Sequence, residues 1–263
     1  MNYLHGYHDN EQARLLEQSG ILAPLIYEII DFSGCHHILE LGSGVGAQTK
    51  ILLDLFPNLQ ITCVDIEQKQ LIKAKENLRE YEGRVRFECQ DIHHPKFDQI
   101  FDGLFICWTL EHLANPSQVL FRIRPFLDFG AKIFITEVFN ASFYFYPKLQ
   151  GLLQYYEAYN SHQKELGGNP DIGIHLGNLL NTAGFQQIEI RNGGFLCDQR
   201  DGERLKNFCL YWKTLMKSAE DSLLKSDKVT PEIVLQMERD LDSLSDDENA
   251  VFFYQFAQAK AIN

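Results

Sequence analysis

Three glycines at alternate positions, Gly42, Gly44 and Gly46, follow a short apolar run that begins at Ile38. Glycine adopts positive φ readily and has no Cβ, so a loop of this kind lets a ligand approach the backbone closely. Helix-forming residues come next, and the unpaired N–H groups of a helix N-terminus attract anionic or polar ligand groups. The pattern predicts a strand, a ligand-binding loop and a helix. A tight loop also forms for packing reasons alone, so the glycines by themselves do not establish a nucleotide site.

The next two apolar runs end in polar side chains. Asp65 ends the second run, about 20 residues after the last glycine, where a carboxylate at a strand tip accepts hydrogen bonds from both hydroxyls of a ribose. Its alternative role is to cap the following helix. Gln90 and Asp91 end the third run, and Asp91 is placed to accept a hydrogen bond from an adenine amino group. Together these positions predict a site for a ligand that contains adenosine.

These motifs, in this order, resemble those of the class I methyltransferases that depend on S-adenosylmethionine: E-x-G-x-G-x-G, an acidic residue after the second strand, and Q-D-I after the third. Residues 116–123 and 179–185 are similar to the family's fourth helix and to the end of its last core helix. The resemblance implies an α/β fold with a doubly wound, mostly parallel, seven-stranded Rossmann-like sheet and an antiparallel last strand. It also implies S-adenosyl-L-methionine as cofactor and S-adenosyl-L-homocysteine as product.

Within this superfamily the chain is most similar to a branch of small-molecule type that opens with His-Gly-Tyr and closes with Phe-Phe-Tyr. These motifs are residues 5–7 and 252–254 here, and residues 45–49 match the branch's Val-Gly-Ala-Gln-Thr. After the fifth strand, relatives carry Glu-Gly-Asp-His and then Tyr-Phe-His-Pro. Residues 137–140 and 144–147 have aromatic and amide side chains in place of two histidines and an aspartate, so this part of the acceptor site differs from those relatives.

The resemblance implies which residues contact the cofactor. Loop amides would hold the methionine half and strand-tip carboxylates the adenosine half, while Glu40 would either reach the amino group or only steady the loop. The residues expected to bind the cofactor are Tyr7, Glu40, Gly42, Ser43, Gly44, Gly46, Gln48, Thr49, Asp65, Ile66, Gln90, Asp91, Ile92, Cys107 and Trp108. Tyr3, His5 and Tyr7 are expected to form a lid over the methionyl group, because aromatic and imidazole groups can cover a cation; the alternative is a frayed terminus.

A general base would help an oxygen or nitrogen acceptor, which must lose a proton at some stage. His112 is the first expected base, although residues 110–113 also fit a helix start with a structural histidine. His162 is the second, and His175 is an alternative. The residues expected to line the acceptor pocket are Tyr3, His5, Trp108, Glu111, Phe139, Phe143, Tyr144, Tyr155 and Tyr159. For the aromatic stretch at 139–146, the alternative is packing in the core or cap.

Apolar runs alternate with amphipathic helices through residue 139, which predicts parallel strands joined by right-handed crossovers. We expect a single methyltransferase domain. Its expected parts are N-terminal lid helices at 1–33, a cofactor-binding core at 34–139, helical cap insertions at 140–170 and 193–249, and a final strand at 251–260. Cap helices either cover a pocket or pair across a dimer, so both a monomer and a homodimer are compatible with the sequence.

Composition narrows the choice of partner. The formal net charge is −12 over 263 residues and the isoelectric point is near 5.2, which disfavours nucleic acid and anionic membrane surfaces. The six cysteines occur singly, without the spacing of a metal site, so no metal is expected and the thiols suit a reducing compartment. No apolar run approaches membrane-spanning length, and the N-terminus lacks the pattern of a secretion signal. A cytoplasmic location is therefore expected.

The sequence thus predicts an enzyme that transfers a methyl group from S-adenosylmethionine to a small molecule. A second hypothesis is a protein that binds S-adenosylmethionine but performs altered or non-methyl-transfer chemistry. A third, a nicotinamide-dependent oxidoreductase, is weaker, because the dinucleotide loop G-x-G-x-x-G requires its third glycine where Ala47 stands.

Overall fold

The computed structural model describes residues 4–263, apart from the side chain of Asp9, and contains a seven-stranded sheet with helices on both faces. The strands are β1 (His37–Leu41), β2 (Gln60–Asp65), β3 (Val85–Cys89), β4 (Phe101–Cys107), β5 (Leu127–Tyr146), β6 (Gln186–Asp198) and β7 (Val251–Ile262). They are ordered β3-β2-β1-β4-β5-β7-β6. Strands β1 to β5 are parallel, and β7 is antiparallel to both of its neighbours. The predicted mostly parallel sheet with an antiparallel last strand is confirmed.

Nine α-helices connect and cover the strands in the described part of the chain. They are α1 (Asp9–Ile26), α2 (Ala47–Leu55), α3 (Gln68–Asn77), α4 (Pro116–Ile123), α5 (Gln150–Glu165), α6 (Leu176–Ala183), α7 (Gly202–Ser218), α8 (Glu220–Lys225) and α9 (Pro231–Asp246). Short 3₁₀ turns lie at Tyr27–Ile29, Arg79–Tyr81, Leu110–His112, Arg124–Phe126, Ile172–His175 and Gln199–Asp201. Among the described helices, none is both long enough and apolar enough to cross a membrane.

Neighbouring side chains on the central strands enter two separate hydrophobic layers. Ile38 and Phe105 pack in the layer that includes α1 and α2. Leu39 and Leu104 pack in the opposite layer, with α4 and α6. Successive side chains of a strand point to opposite faces, so a sheet covered on both sides requires nearly continuous apolar runs. This requirement explains why the central strands could be recognised in the sequence as short hydrophobic blocks.

The fifth strand continues well beyond the sheet core. Residues 140–146 were expected to begin a helical cap, but β5 extends through them to Tyr146. Side chains along this extension alternate between exposed and buried: Phe145 is 2% exposed, whereas its neighbours Tyr144 and Tyr146 are 46% and 50% exposed. The prediction was wrong because both faces of the extension carry aromatic residues, which conceals the period of two. The helical part of this insertion is α5 alone, which begins at Gln150.

The second insertion also begins later than expected. A glycine pair, Gly193 and Gly194, indicates the end of a strand, yet β6 continues through both to Asp198. A Cβ on Gly193 would lie 2.1 Å from the ring of Phe256, and a Cβ on Gly194 would lie 2.3 Å from the carbonyl oxygen of Tyr254. Glycine is needed here because β7 approaches closely, not because the chain turns. The helical part of this insertion consists of α7, α8 and α9.

The cap formed by α5, α7, α8 and α9 is held by a core of its own. The indole of Trp212 lies at its centre, with its ring centroid 4.7 Å from that of Phe143 and 5.4 Å from that of Phe252. These two rings belong to the extensions of β5 and β7, so the extended strands attach the cap to the sheet. Helix α1 packs against both α2 and α7 and therefore bridges the sheet layer and the cap.

A buried carboxylate fixes the start of α5. Asp240, on α9, is 5% exposed; one oxygen accepts a hydrogen bond from the backbone N–H of Leu152 at 2.8 Å, and the other accepts from the side chain of Gln236 at 2.8 Å. Leu152 lies in the first turn of α5, where a backbone N–H has no partner within its own helix. Gly151 permits the close contact, since a Cβ there would lie 2.9 Å from Asp240. The cap helices are thus joined by a helix-capping interaction.

Removing this carboxylate should weaken the cap. Asp240→Ala leaves the N–H of Leu152 buried without an acceptor, so we expect the free energy of unfolding to fall by about 1–3 kcal/mol. Urea denaturation near neutral pH measures the change. Asp240→Asn retains one acceptor oxygen and should lose less. The exposed Asp246 provides a control on the same helix, and equal effects of Asp240→Ala and Asp246→Ala would contradict the capping role.

Candidate functional site

One cavity lies at the carboxyl ends of β1, β2 and β4, beneath α1 and the cap. The strand order reverses between β1 and β4, and open α/β sheets bind ligands at such a switch point. The expected site residues that line this cavity are His5, Tyr7, Gly42, Ser43, Gly44, Gln48, Asp65, Ile66, Gln90, Asp91, Ile92, Cys107, Trp108, Glu111, His112 and Tyr159. Those that do not line it are Glu40, Gly46, Thr49, Phe139, Phe143, Tyr144, Tyr155 and His162. Tyr3 lies outside the described residues.

The three glycines of the loop between β1 and α2 have different roles. All have positive φ, at +70° for Gly42, +52° for Gly44 and +76° for Gly46. A Cβ on Gly42 would lie 2.2 Å from Oγ1 of Thr109, and a Cβ on Gly46 would lie 2.6 Å from a leucine side chain. At Gly44 the nearest atom would be 3.9 Å away. Packing therefore requires the first and third glycines, and Gly44 leaves the space beside the loop open.

Asp65, at the carboxyl end of β2, holds this loop. Its Oδ2 accepts a hydrogen bond from the backbone N–H of Gly44 at 2.9 Å, and its Oδ1 accepts from that of Glu67 at 2.9 Å. Burial raises the pKa of Asp65, and the N–H donors oppose that shift by favouring the charged form. The N-cap of α3 is Glu67, so Asp65 does not have the alternative capping role. Asp65 ties the glycine loop to the chain before α3 and also lines the cavity.

Glu40 lies beneath the loop instead of facing the cavity. Its carboxylate accepts a hydrogen bond from the hydroxyl of Thr49, in the first turn of α2, at 2.6 Å. Burial raises the pKa of Glu40 to about 8. Of the two roles expected for Glu40, the observed contact corresponds to the carboxylate that steadies the loop. Thr49 belongs to the same buried contact, which explains why it also fails to line the cavity.

A second buried carboxylate organises the chain after β4. Glu137, on β5, accepts backbone hydrogen bonds from Thr109 at 2.9 Å, Leu110 at 2.6 Å and Glu111 at 3.3 Å. These donors lie at or just before the start of the 3₁₀ turn Leu110–His112, where backbone N–H groups lack local partners. Trp108, just before them, has a φ of +50°, which is unfavourable for a side chain of its size. The carboxylate thus holds a tight turn that directs Trp108, Glu111 and His112 towards the cavity.

Glu111 and His112 are the titratable groups that this turn places in the cavity wall. Oε2 of Glu111 accepts a hydrogen bond from the side-chain nitrogen of Gln163 at 2.7 Å, and its Oε1 lies 3.7 Å from Nε2 of His112. Burial raises the pKa of Glu111 to about 7 and lowers that of His112 to about 4. Near neutral pH the histidine is uncharged, while Glu111 lies close to the midpoint of its titration.

The N-terminal segment closes the cavity against the cap. His5 lies 2.6 Å from the hydroxyl of Ser218 through Nδ1, and 3.1 Å from the hydroxyl of Tyr159 through Nε2. Burial lowers the pKa of His5, so the ring is neutral. Burial and the nearby Asp65 raise the pKa of Tyr7 to about 12, so Tyr7 remains a neutral phenol in the wall. Both residues lie where a lid was expected.

Several lining residues were missed by the sequence reasoning. Arg14, on α1, is the only lysine or arginine in the wall among the described residues, and it makes two 2.6 Å hydrogen bonds to Glu11. The spacing Glu11-x-x-Arg14 was a visible signal for this pair. Six of the other missed residues are aromatic and come from distant parts of the chain: Tyr156, Phe195, Tyr211, Trp212, Tyr254 and Phe256. They form what we call the aromatic chamber, together with Tyr159 and Trp108.

Two predicted site residues on α5 point elsewhere. Tyr155 is completely buried and donates its hydroxyl hydrogen to the carbonyl of Met216 at 2.7 Å, so it belongs to the core of the cap. Its neighbour Tyr156 lines the cavity instead. His162 lies 3.0 Å from the hydroxyl of Ser222 through Nε2 and borders a second cavity between the N-terminal segment and the cap. In the described residues, no group of three or more His, Cys, Asp or Glu side chains is arranged to hold a metal.

The aromatic stretch on β5 also differs from its predicted role. Phe143 stacks on Trp212 and packs in the cap core, while Tyr144 is exposed beneath the ammonium of Lys148, which lies 4.0 Å from its ring centroid. Phe139 is half-buried outside the cavity. The packing alternative considered for this stretch is therefore the one observed, apart from Tyr144 and Tyr146 on the solvent side.

The raised pKa of Glu111 has a measurable effect on stability. Because the folded chain raises this pKa from 4.5 to about 7, the stability contributed by the neutral form is fully present below 4.5 and is lost as pH rises through 7. The side chain in Glu111→Gln cannot ionise, so the variant does not lose this stability as pH rises. Relative to the wild type, the variant should gain on the order of 1–3 kcal/mol in unfolding free energy between about pH 5 and about pH 8. Urea denaturation at the two pH values measures this gain.

An exposed glutamate on α5, Glu157, provides the control for this experiment. Glu157→Gln should shift stability equally at both pH values, because its side chain is exposed to solvent in the folded chain as it is in the unfolded one. His112 loses its contribution as pH falls from 6.5 towards 4, but it does so in both proteins and cancels from the comparison. A difference between Glu111→Gln and wild type that is the same at both pH values would contradict the raised pKa.

Comparison with known proteins adds sequence relatives. A family model described as a methyltransferase domain matches residues 39–133. Malonyl-(acyl-carrier protein) O-methyltransferase of Bacillus cytotoxicus is 42% identical over 103 residues, which are 39% of this chain and 35% of that protein. (S)-coclaurine N-methyltransferase of Thalictrum flavum is 24% identical over 139 residues, 52% of this chain and 38% of that protein. The chain thus spans about a third of the length of the curated relatives it matches.

Solved structures extend the likeness to nearly the whole chain. Phosphoethanolamine N-methyltransferase 2 of Haemonchus contortus, in complex with S-adenosyl-L-methionine, superposes with a TM-score of 0.56 at 18% identity, over 94% of this chain and 52% of that one. The (4+2)-cyclase SpnF superposes with a TM-score of 0.55 at 17% identity, over 94% and 81%. At such identities the superpositions establish the fold. The seven-stranded sheet and its strand order are those of the Rossmann-like methyltransferase fold, and residues 39–133 within it match the methyltransferase-domain model.

Proposed function

We propose that the chain is an S-adenosylmethionine-dependent methyltransferase that acts on a small molecule. The observation that carries this proposal is one cavity that runs from the glycine loop and Asp65 to the aromatic chamber. Methyl transfer requires both binding sites in one enclosure, because the acceptor atom must approach along the methyl–sulfur axis. The methyltransferase match and the names of the sequence relatives support the same activity.

The residues around the glycine loop fit the proposed cofactor. Gly44 leaves space beside the loop, and Asp65 places a carboxylate at the neighbouring strand tip. The indole Nε1 of Trp108 is buried there without a hydrogen-bond partner among the described residues, an unsatisfied donor of the kind that ligands often pair. In the proposal the loop backbone holds the methionine half, Asp65 the ribose, and Gln90–Ile92 the adenine. When bound, the cofactor supplies a methyl group already activated for transfer.

The chain's own contribution would be alignment and exclusion of water. The N-terminal segment bears His5 and Tyr7 into the cavity wall, and His5 contacts the cap through Ser218 and Tyr159. A segment held at both ends of the cavity can separate the reacting groups from solvent, which strengthens electrostatic interactions inside. His5 and Tyr7 are neutral here, so the lid adds no charge that would repel a sulfonium.

A small acceptor suits the enclosure better than a macromolecule. The wall of the aromatic chamber comes from the cap, from β6 and β7, and from Trp108 after β4. The net charge of −12 also disfavours an acidic macromolecule as acceptor. We include a cytoplasmic location and a monomeric or homodimeric state in the proposal. The location is supported by six cysteines that form no disulfide among the described residues.

A second function is favoured by one observation. SpnF, named as a (4+2)-cyclase, shares the fold at a TM-score of 0.55, so this architecture also carries chemistry other than methyl transfer. In that case the chain would bind S-adenosylmethionine without consuming it. Equal amounts of S-adenosylhomocysteine and a methylated product would support methyl transfer and exclude this second function.

Calorimetric titration with S-adenosylmethionine and S-adenosylhomocysteine tests the cofactor site. Asp65→Ala removes the proposed ribose acceptor and releases the N–H of Gly44, so we expect affinity to fall roughly 10- to 100-fold. Gly44→Ala places a methyl group in the space beside the loop and should weaken both ligands to a similar extent. Binding by the wild type is the first result required.

Gly83→Ala is the matched control for the glycine variant. Gly83 has a φ of +86° and no neighbour within 4 Å of an added Cβ, so it imposes the same backbone strain at an exposed turn. Gly83→Ala should therefore leave the affinity for both ligands unchanged. If a folded wild-type protein binds neither ligand, or if Gly44→Ala and Gly83→Ala behave alike, the proposed cofactor site is wrong.

A further inference from the structure

Glu111 is a rigidly held carboxyl group whose side chain enters the cavity wall. It is 6% exposed, its backbone N–H donates to Glu137, and its carbonyl oxygen accepts from the backbone N–H of Asn169 at 2.7 Å. Gly168 packs so closely that a Cβ there would lie 2.5 Å from the same carbonyl oxygen. The main chain of Glu111 is therefore fixed from two sides, by β5 and by the loop after α5, and the position of its carboxyl group is well defined.

The partner of this carboxyl group is an amide instead of a cation. Gln163 is buried and donates its side-chain N–H to Glu111, while its own Oε1 is buried without a hydrogen-bond partner among the described residues. An amide presents a donor on one side and an acceptor on the other. A half-turn of the Gln163 amide would let Oε1 accept from a protonated Glu111. The pair therefore satisfies both protonation states, whereas a lysine or arginine partner would hold only the charged one.

The other charged and titratable groups around Glu111 compensate its charge only in part. His112 lies on the same turn and is neutral, and Arg14 on α1, which is bound by Glu11, lowers the pKa of Glu111 by less than burial raises it. Glu137 on β5 repels it, and Glu111 in turn acts on the uncharged groups of Cys107, Tyr156, Tyr211 and Tyr254. Burial is the main reason that the pKa of Glu111 rises to about 7. A general base works best when its pKa lies close to the operating pH.

The aromatic chamber beside Glu111 offers mainly ring surface. Tyr156 and Tyr254 donate their hydroxyl hydrogens to Asn140 at 2.9 Å each, and the hydroxyl of Tyr159 contacts His5. These hydroxyls are engaged by Asn140 and His5, which also line the cavity, so much of the surface that remains for a ligand is carbon. Flat apolar molecules gain most from such a wall, through stacking and the burial of apolar area.

Building on the methyl transfer proposed above, we infer that the acceptor is a flat aromatic molecule with a hydroxyl group and that Glu111 takes up the proton of that hydroxyl. The hydroxyl oxygen forms a bond to the methyl carbon while the carbon–sulfur bond breaks and its electron pair remains on sulfur. The hydroxyl proton passes to the carboxylate of Glu111, and the thioether product leaves neutral. Gln163 acts as a positioning residue that holds Glu111 before and after this transfer.

A hydroxyl acceptor follows from the presence of the base. A neutral aromatic amine already has a nucleophilic lone pair and gains little from a base before it attacks. A neutral hydroxyl is a poor nucleophile until its proton is removed, so a positioned base has its largest effect there. His112, with a pKa near 4, binds a proton too weakly at neutral pH to fill this role as well as Glu111.

Three probe compounds test the inference. Naphthol is flat and carries a phenolic hydroxyl, and naphthylamine is flat with an amine. Decahydronaphthol has a saturated, non-planar frame and a far less acidic hydroxyl, so its binding as an inhibitor of naphthol methylation, and not its own rate, tests the preference for a flat molecule. Mass spectrometry of the product and the S-adenosylhomocysteine formed measure the rate over a range of pH. We expect naphthol to be methylated far faster than naphthylamine, with a rate that rises as pH passes through about 7, and decahydronaphthol to inhibit only at far higher concentrations.

The variants identify the base. Glu111→Gln should lower the rate with naphthol roughly 10²- to 10⁴-fold, abolish the inflection near neutral pH and recover at alkaline pH, where naphthol ionises without help. Gln163→Met removes the hydrogen bond to Glu111 and should shift the pH at which the rate with naphthol inflects. Glu157→Gln, at an exposed position on α5, is the control and should leave rate and profile unchanged. Calorimetry with S-adenosylmethionine accompanies each variant, and Glu111→Gln should keep wild-type affinity.

Each failure has its own meaning. No cofactor binding by the wild type overturns the proposed function itself. Cofactor binding without methylation of naphthol, an equal rate with naphthylamine, or inhibition by decahydronaphthol at concentrations as low as those at which naphthol binds overturns the acceptor class. A Glu111→Gln enzyme with the full rate and an unchanged profile overturns the role of Glu111. If His112→Gln loses the neutral-pH inflection and Glu111→Gln keeps it, the base is His112 and the role of Glu111 is overturned.

Discussion

The buried carboxylate of Glu137 is the contact on which the geometry of the site depends. It accepts hydrogen bonds from three successive backbone N–H groups and thereby stabilises a tight turn that Trp108 enters with positive φ. The turn brings together the end of β4, the glycine loop through the Thr109 hydroxyl bonded to Leu41, and the loop after α5 through Asn169. Burying an ionisable group is costly unless it is well paired, and here the three backbone N–H groups of the turn supply that pairing.

The sheet could be predicted from the sequence because local patterns determine it. Strands covered on both faces are short apolar blocks, and the glycine loop and strand-tip carboxylates mark their carboxyl ends. The extensions of β5 and β6 could not be predicted in the same way. Aromatic residues occupy both faces of one extension, and Gly193 and Gly194 resemble a turn in the other, although close approach of β7 is what requires them. Such contacts join residues far apart in sequence and leave no local pattern.

The two halves of the cavity also differ in how well the sequence predicts them. Most of the expected residues around the glycine loop line it, since each follows a strand within a few positions. The exceptions are Gly46, which packs against a leucine side chain, and Glu40 and Thr49, which lie just beneath the loop. The aromatic chamber is assembled from α5, α7, β6 and β7, so spacing alone did not reveal Trp212. On α5 the prediction was wrong by one position. Adjacent residues of a helix point about 100° apart, so Tyr155 faces the cap core whereas Tyr156 faces the cavity.

The separate origin of the two halves has an evolutionary consequence. The glycine loop and Asp65 are built by the sheet, whereas the aromatic chamber is contributed mainly by the cap, which is joined to the sheet through extended strands and has a core of its own around Trp212. Substitutions on α7, or exchange of whole cap segments, can therefore reshape the chamber while the loop stays intact. Under the proposed function, acceptor choice can diverge without loss of the cofactor, and the cap is the segment on which engineering of a new specificity should concentrate.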